Sequence, residues 1–128
     1  MTYLLDTHAA IWLFEGNQAL GQKTRETIIR EADITLVSYV SVWETAIKKR
    51  KGRLQLKHDL DYYVLKAGFK LLNIELVHIH TIVNLPLIHQ DPFDRLLIAQ
   101  ALSEKMTFIT GDDKILRYPG VSLMDAKK

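Results

Sequence analysis

Short apolar runs alternate along this chain with amphipathic segments of helical period, and this alternation limits the possible fold more than any other feature. Such an order is typical of α/β domains, in which each helix returns the chain so that successive strands lie parallel. Because the runs are apolar at nearly every position, they fit strands that are buried on both faces of a sheet. The predicted strands are Thr2–Leu5, Ile34–Val37, Lys70–Ile74, Thr107–Thr110 and Val121–Met124.

Helices are predicted between these strands, and two of them begin with a capping signal. Ser41 is followed three residues later by Glu44, which is the pattern of a capping box, and Asp91 precedes a proline suited to the first helical position. The predicted helices are Thr7–Phe14, Gly21–Glu31, Ser41–Lys51, Asp59–Phe69, Glu75–Leu85 and Asp91–Lys105, with a single turn over Asp113–Leu116. We therefore expect one domain over residues 1–128, a three-layer α/β/α sandwich with a parallel sheet of four or five strands.

Length and composition exclude several classes of protein. A chain of 128 residues buries roughly two-thirds of its unfolded surface, so its core needs no disulfide. The absence of cysteine excludes disulfides and thiolate metal sites and fits a reducing compartment, so we expect a cytoplasmic protein. No apolar run approaches the roughly 20 residues that a transmembrane helix requires, and the early first strand leaves no room for a signal peptide.

Four acidic residues lie where predicted strands end or where the following helices begin. Asp6 and Asp112 follow the first and fourth strands, whereas Glu44 and Asp94 stand in the first turns of predicted helices. Because open parallel sheets bind ligands outside the carboxyl ends of their strands, all four could share one pocket. Each pair of carboxylates ~5 Å apart would cost roughly 3 kcal/mol at an effective dielectric of 20, so such a cluster is expected around a divalent cation. With no cysteine and no evident histidine cluster, oxygen ligands favour Mg²⁺ or Mn²⁺ over zinc.

Each acid also has a purely structural interpretation when it is considered alone. Asp6 suits a helix N-cap, and Glu44 and Asp94 suit a first helical turn, where carboxylates offset the macrodipole. Asp112 and Asp113 lie in a segment of turn-forming composition. A catalytically silent interaction domain, whose acids serve only as caps and turns, is therefore an alternative to an enzyme.

Two phosphate-handling folds with acidic pockets are further alternatives. A phosphoacceptor receiver domain normally carries paired acids after its first strand, and Asp6 has no acidic neighbour. A haloacid-dehalogenase phosphatase needs Asp-x-Asp, where this chain has Asp6-Thr7-His8. Both alternatives are disfavoured.

The positive charge of the chain is concentrated in one segment, although the formal net charge is only +2. At the end of a predicted helix, such cations complement the macrodipole. Clustered lysine and arginine are also the electrostatic footprint of nucleic-acid binding, and the two interpretations are compatible. The cations of this segment are Lys48, Lys49, Arg50, Lys51 and Arg53.

Other side chains near these segments have structural or functional interpretations. His8 lies beside Asp6 and could contact a substrate or orient a water, although packing is an equally good interpretation. Trp12 and Trp43 are predicted to belong to the core. Arg95 follows Asp94 and could pair with an acid or contact a phosphate.

Four segments together resemble a PIN domain, and more closely the VapC-type toxins of type II toxin–antitoxin systems. These segments are Leu4–Trp12, Ser41–Lys48, His89–Ala101 and Thr110–Asp112, in order and at suitable spacing. The Asp-Pro-Phe-Asp-Arg block within the third segment is the most specific of them. The resemblance covers essentially the whole chain.

The resemblance implies a set of site residues. The three central acids of the family fall on Asp6, Glu44 and Asp94, and its more variable fourth acid falls on Asp112, with Asp113 as the less favoured substitute. Hydroxyl groups beside the metal site are implied at Thr7 and Thr110.

The resemblance also implies an activity and partners. We expect an endoribonuclease that depends on Mg²⁺ or Mn²⁺ and hydrolyses phosphodiester bonds in single-stranded or looped RNA. It would form a homodimer and be held inactive by a cognate antitoxin protein.

Overall fold

The computed structural model describes all 128 residues, and a parallel five-stranded sheet forms its middle layer. The spatial order of the strands is β3-β2-β1-β4-β5. In chain order they are β1 (Thr2–Leu5), β2 (Ile34–Ser38), β3 (Lys70–Leu72), β4 (Thr107–Thr110) and β5 (Leu123–Asp125). The predicted three-layer sandwich is therefore confirmed, with five strands.

The first strand lies at the centre of the sheet, and this position determines where a site can form. Leu5, the last residue of β1, pairs with Val37 of β2 on one side and with Ile109 of β4 on the other. The chain adds β2 and β3 on one side of β1 and returns to add β4 and β5 on the other. The topological switch point therefore lies between β1 and β4, where a crevice opens outside the carboxyl ends of the strands.

Helices cover both faces of the sheet. They are α1 (Thr7–Glu15), α2 (Gln22–Glu26), α3 (Tyr39–Arg50), α4 (Leu60–Lys66), α5 (Leu76–Ile82) and α6 (Pro92–Ser103). A π-helical turn at Thr27–Glu31 continues α2, and a 3₁₀ turn follows β4 at Ile115–Arg117. None of these helices has both the length and the apolar character needed to cross a membrane.

Two apolar cores form because successive strand residues point to opposite faces. Leu4 and Phe108 pack with α6 on one face, whereas Leu5 and Ile109 pack with α1 and α4 on the other. All four side chains are completely buried, and burial of each stabilises the fold by about 1.5–3 kcal/mol. The cores hold the strand ends, and with them the site, in a fixed position.

The predicted capping box at Ser41 is wrong, because α3 begins two residues earlier. Strand β2 passes directly into the helix, so Ser38 is the N-cap and its Oγ accepts a hydrogen bond of 3.0 Å from the Val40 N–H. Ser41 instead lies inside the helix, with its Oγ 2.9 Å from Thr7 Oγ1. Glu44 therefore lies in the second turn, where its carboxylate is free of any capping role.

Other predicted boundaries differ by a few residues at the ends of elements. Helix α4 stops at Lys66, just before Gly68, whose φ of 80° suits glycine. Helix α5 and strand β3 are both shorter than predicted, and β5 begins two residues later. The predicted start of α6 is confirmed, since Asp91 Oδ1 accepts a 2.8 Å hydrogen bond from the Phe93 N–H.

Candidate active site

A pocket of about 420 Å³ opens outside the carboxyl ends of the central strands. All four acids that the strand ends were expected to bring together are among its lining residues. The complete lining is Asp6, His8, Trp12, Glu44, Lys48, Asp91, Asp94, Gly111 and Asp112. Acids that are far apart in the sequence thus converge on one cavity.

Asp6 is held at the floor of this pocket by two short hydrogen bonds. It follows β1 and caps α1, and its Oδ1 accepts a 2.7 Å bond from the Ala9 N–H. Its Oδ2 accepts a 2.5 Å bond from the Thr110 hydroxyl at the end of β4. Only 4% of Asp6 is exposed. The N-cap interpretation of Asp6 is therefore correct, and it is compatible with a place in the pocket.

Glu44 enters the pocket from α3, and its partners lie outside its own helical cap. The Thr7 hydroxyl donates a 2.7 Å hydrogen bond to Glu44 Oε1. The ammonium group of Lys48, one turn further along α3, lies 3.3 Å from Glu44 Oε2. Both hydroxyls that the family resemblance placed beside the site, those of Thr7 and Thr110, thus donate to pocket carboxylates.

The turn after β4 contains two neighbouring acids, and only Asp112 faces the pocket. Its Oδ1 accepts hydrogen bonds from the backbone N–H groups of Lys114 and Ile115, at 2.8 and 3.3 Å. Asp113 is exposed and lies 3.2 Å from Lys127 Nζ, outside the pocket lining. The structure thus places Asp112, and not Asp113, with the other three acids.

Burial and mutual repulsion shift the ionisation of the two innermost aspartates. Burial raises the pKa of Asp6, although the hydrogen bonds from Thr110 and Ala9 oppose this effect. Burial also raises the pKa of Asp94, to about 7, and the negative charges of Asp91, Glu44 and Asp6 add to the increase. A nearby cation would favour the charged forms of both groups.

Asp112 shows the opposite behaviour, since its pKa is lowered. Partial burial alone would raise this pKa, but hydrogen bonds from His89 and from the backbone N–H groups of Ile115 and Lys114 outweigh burial. Asp112 therefore stays ionised at neutral pH.

His89, which the sequence analysis did not assign to the site, bridges two of the acids. Its Nε2 lies 3.0 Å from Asp94 Oδ2 and 3.2 Å from Asp112 Oδ2. The one indication of this role in the sequence is that His89 lies just before the Asp-Pro-Phe-Asp block. The sequence does not show in which direction the imidazole ring points.

The loop that carries His89 is fixed by two side chains from other parts of the fold. The Arg95 guanidinium donates to the carbonyl oxygens of Pro86 and His89, at 3.0 and 3.2 Å, and further bonds reach Ile82 and Leu85. The Tyr118 hydroxyl accepts a 2.9 Å bond from the His89 N–H. Arg95 thus binds backbone carbonyls and does not pair with an acid.

The hydrogen bonds of His89 determine which of its ring nitrogens carries the proton. Nδ1 accepts a 3.1 Å bond from the Asp91 N–H, so in the neutral ring the proton must be on Nε2. One ligand atom from each of His89, Asp94 and Asp112 lies within 4.8 Å of the others, a spacing that could hold a metal ion. With its proton on Nε2, however, His89 serves the two carboxylates as a donor and offers no lone pair to a cation.

The donor set fits a hard divalent cation. The carboxylates of Asp6, Glu44, Asp94 and Asp112 line one cavity, and the only cationic side chain in that lining other than histidine is Lys48. Oxygen-rich sites of this kind suit Mg²⁺ or Mn²⁺ rather than a thiophilic metal.

In metal-free protein, we expect Asp94 to make the free energy of unfolding fall as the pH rises from about 4 to about 7. The folded state keeps the Asp94 proton up to a pKa of about 7, whereas the ordinary value is 3.8. Because the folded state then binds more protons than the unfolded state, linkage makes stability decrease with pH across this window. The full pKa difference corresponds to roughly 4 kcal/mol, and solvent access to the carboxyl reduces this to about 2 kcal/mol.

The test is urea denaturation of wild type and Asp94→Asn in EDTA at two pH values. The variant should be the more stable protein at pH 8, and its advantage should shrink near pH 4. An advantage of equal size at both pH values would contradict the prediction.

A second prediction concerns the ring of His89. At pH 8 without metal, ¹⁵N-resolved NMR should show the tautomer with the proton on Nε2, and addition of Mg²⁺ should leave that tautomer in place. His80, which is exposed on α5, provides an internal comparison. Appearance of the Nδ1–H tautomer on metal addition would show that Nε2 binds the cation.

Comparison with known proteins agrees with this geometry. The sequence matches the profile of the PIN domain over residues 3–121. No curated protein sequence matches the chain significantly.

Solved structures share the fold at low sequence identity. VapBC2 from Rickettsia felis, bound to a DNA fragment from its promoter, contains a chain with a TM-score of 0.74 and 17% identity, with 98% of each chain covered. A toxin–antitoxin complex from Klebsiella pneumoniae gives a TM-score of 0.67 and 17% identity over 97% of each chain. DNA-bound VapBC from Salmonella typhimurium gives 0.69 and 15% over 98% of each chain. At these identities the similarity concerns the fold, and the profile match over 3–121 shows that this chain belongs to the PIN domain family.

Proposed function

We propose that this protein is a metal-dependent endoribonuclease of the VapC type, the toxin of a toxin–antitoxin pair. The observation that carries the proposal is the convergence of Asp6, Glu44, Asp94 and Asp112 on one pocket within a PIN domain. The VapBC and toxin–antitoxin complexes of similar fold support the assignment to this branch. Because these structures are complexes of a toxin with an antitoxin, we propose an antitoxin as a partner of this chain. We also propose the cytoplasm as its compartment.

The acids would hold Mg²⁺ or Mn²⁺ and position the attacking water. A divalent cation bound there would supply a more acidic water and a counter-charge for the negatively charged transition state. In the hydrolysis, the water oxygen bonds to phosphorus, the bond from phosphorus to the leaving nucleotide oxygen breaks, and a carboxylate accepts the proton of the water. Thr7 and Thr110 hold Glu44 and Asp6 in place through the hydrogen bonds described above.

The cationic end of α3 would contact the RNA backbone. Lys48 lies in the pocket, and Lys51 lies on the same face of the helix three residues further on. Arg50, Lys51 and Arg53 are exposed and form no ion pair. Lys49 is 3.1 Å from Asp59 Oδ1 and is therefore the least available of the five.

Exposed apolar side chains would form the contacts with protein partners. A groove of about 460 Å³ is lined mainly by apolar side chains of α3 and the β3 segment, including Tyr39, Trp43 and Leu71. On α5, Leu76 is 71% exposed and Val77 is 52% exposed. Contiguous exposed apolar surface is typical of protein–protein contact sites. We propose that such faces bind the cognate antitoxin and a second copy of the chain, giving a homodimer.

The silent interaction domain is the weaker interpretation. It requires every acid to serve only as a helix cap or a turn residue. Glu44 has no such role, because α3 begins at Tyr39. A receiver domain is not supported either, since the sequence matches the PIN profile over 3–121.

We expect Glu44→Gln and Asp94→Asn to abolish Mg²⁺-dependent cleavage of single-stranded RNA. Loss of one outer hydrogen-bond partner of a metal ligand typically costs roughly 10- to 100-fold, so loss of a ligand charge should cost at least that much. The measurement is cleavage of an end-labelled RNA with Mg²⁺ and with EDTA. Asp113→Asn is the matched control, because Asp113 is an exposed acid outside the pocket and should keep wild-type activity.

Purification of all the variants by one procedure excludes a contaminating nuclease. Wild-type rates in Glu44→Gln protein would remove Glu44 from the metal site, and cleavage that persists in EDTA would refute the metal dependence of the proposed function. Sequencing of RNA ends after induction of wild type and Asp6→Asn would then identify the RNA that is cut.

A further prediction concerns the salt dependence of RNA binding. In an Asp94→Asn background, changing Arg50, Lys51 and Arg53 to glutamine should reduce the log–log slope of affinity against salt by about 2, at about 0.7 per phosphate contact on single strands. Lys49→Gln should leave the slope nearly unchanged, because Lys49 is paired with Asp59. An unchanged slope in the triple variant would mean that these cations serve only the helix end.

A further inference from the structure

Trp12 is the only hydrophobic residue among the nine that line the acidic pocket. Its neighbours in the lining are charged side chains, His8 and Gly111. An indole side chain supplies no ligand to a cation that carboxylates would hold. Trp12 is half-buried and packs in part against the core beneath α1, as predicted, but core packing does not account for the part of the residue that lines the acidic pocket.

Helix geometry presents Trp12 to the pocket. Helix α1 begins directly after Asp6, so His8 and Trp12, four residues apart, lie on one face of it. Their ring centroids are 6.2 Å apart, with the ring planes inclined by 47°. Ala9 and Ala10 of the same helix are completely buried against the sheet. One side of α1 thus packs on the sheet, whereas the side that carries His8 and Trp12 borders the acidic pocket.

The indole rests on a glycine beside one of those acids. A Cβ placed on Gly111 would lie 3.2 Å from Trp12 Cζ3 and 3.3 Å from Cη2, which is closer than ordinary contact. The bare backbone of Gly111 therefore lets the six-membered edge of the indole approach the turn that carries Asp112. This contact fixes one edge of the ring, while the half-buried residue keeps part of its surface open to the pocket.

We infer that Trp12 forms a nucleobase subsite, in which a base next to the scissile phosphate of an unpaired RNA strand stacks on the indole; this inference rests on the proposed nuclease function. The bases are the planar, weakly polar parts of RNA, and every base has a π-face that an aromatic side chain can cover. A base inside a duplex already has both faces stacked, so the subsite selects unpaired RNA. A phosphate flanking that base would lie among the acids and Lys48.

The first experiment uses fluorescence of Trp12 as the only tryptophan. In Asp94→Asn/Trp43→Phe protein with Mg²⁺, a single-stranded octaadenylate should quench the emission. An abasic ribose-phosphate octamer of the same length should bind through its phosphates without quenching. Trp43 is removed because it is 57% exposed and lines a different groove.

The second experiment separates stacking from a structural role. In the Asp94→Asn background, Trp12→Leu should weaken octaadenylate binding by about tenfold, within the range measured for loss of one base–aromatic stack. Affinity for the abasic octamer should stay within about twofold of the parent protein. Trp12→Phe, which keeps an aromatic face, should lose less than Trp12→Leu, and Trp43→Leu should bind both oligomers like the parent.

The outcomes distinguish the subsite from the proposed function. Suppose that wild type cleaves RNA, but that Trp12→Leu either weakens binding of both octamers equally or leaves both affinities unchanged. The subsite is then refuted, whereas the proposed nuclease function is retained. If wild type neither binds nor cleaves RNA, both proposals fall. Quenching by octaadenylate alone, together with a base-dependent loss in Trp12→Leu, supports the subsite.

Discussion

Repulsion between carboxylates gathered outside the ends of a parallel sheet is the constraint on which the rest of this structure depends. Asp6 is 4% exposed and Glu44 is 8% exposed, so water screens neither charge well. A buried charge must be paired or hydrogen-bonded, since its desolvation is otherwise too costly. The fold meets this requirement with donors from other elements, above all the hydroxyls of Thr7 and Thr110. Asp94 is compensated less well, since burial and the neighbouring negative charges raise its pKa to about 7.

The two sides of the pocket meet this constraint in different ways. Asp6 and Glu44 accept hydrogen bonds from neutral hydroxyls, which position the carboxylates, and Lys48 lies 3.3 Å from Glu44 as a counter-charge. Asp94 and Asp112 share the single Nε2–H of His89 at 3.0 and 3.2 Å, a three-centre arrangement, and Asp112 also accepts hydrogen bonds from the Lys114 and Ile115 N–H groups. The Asp94 carboxylate has His89 as its only donor, so Asp94 is the acid whose charge the fold compensates least.

The sequence predicted those features that depend on local pattern. Apolar runs located the five strands, and Asp91 before a proline located the start of α6. The predictions failed where a distant contact decides the outcome. Ser41 has the signature of a cap, but β2 runs directly into α3 and Ser38 takes that role. His89 could not be assigned, because Tyr118, 29 positions further along the chain, helps to fix its loop.

The hydrogen bond between Thr110 and Asp6 joins residues 104 positions apart, and this separation has a consequence during protein synthesis. A ribosome that has translated β1 through α3 has already produced Asp6 and Glu44, yet it has not produced α6 or β4. Contacts of such long sequence separation form only when their last partner becomes available. The acidic pocket therefore cannot be completed until the turn after β4 has left the exit tunnel, so the order of the strands makes its assembly a late event in synthesis.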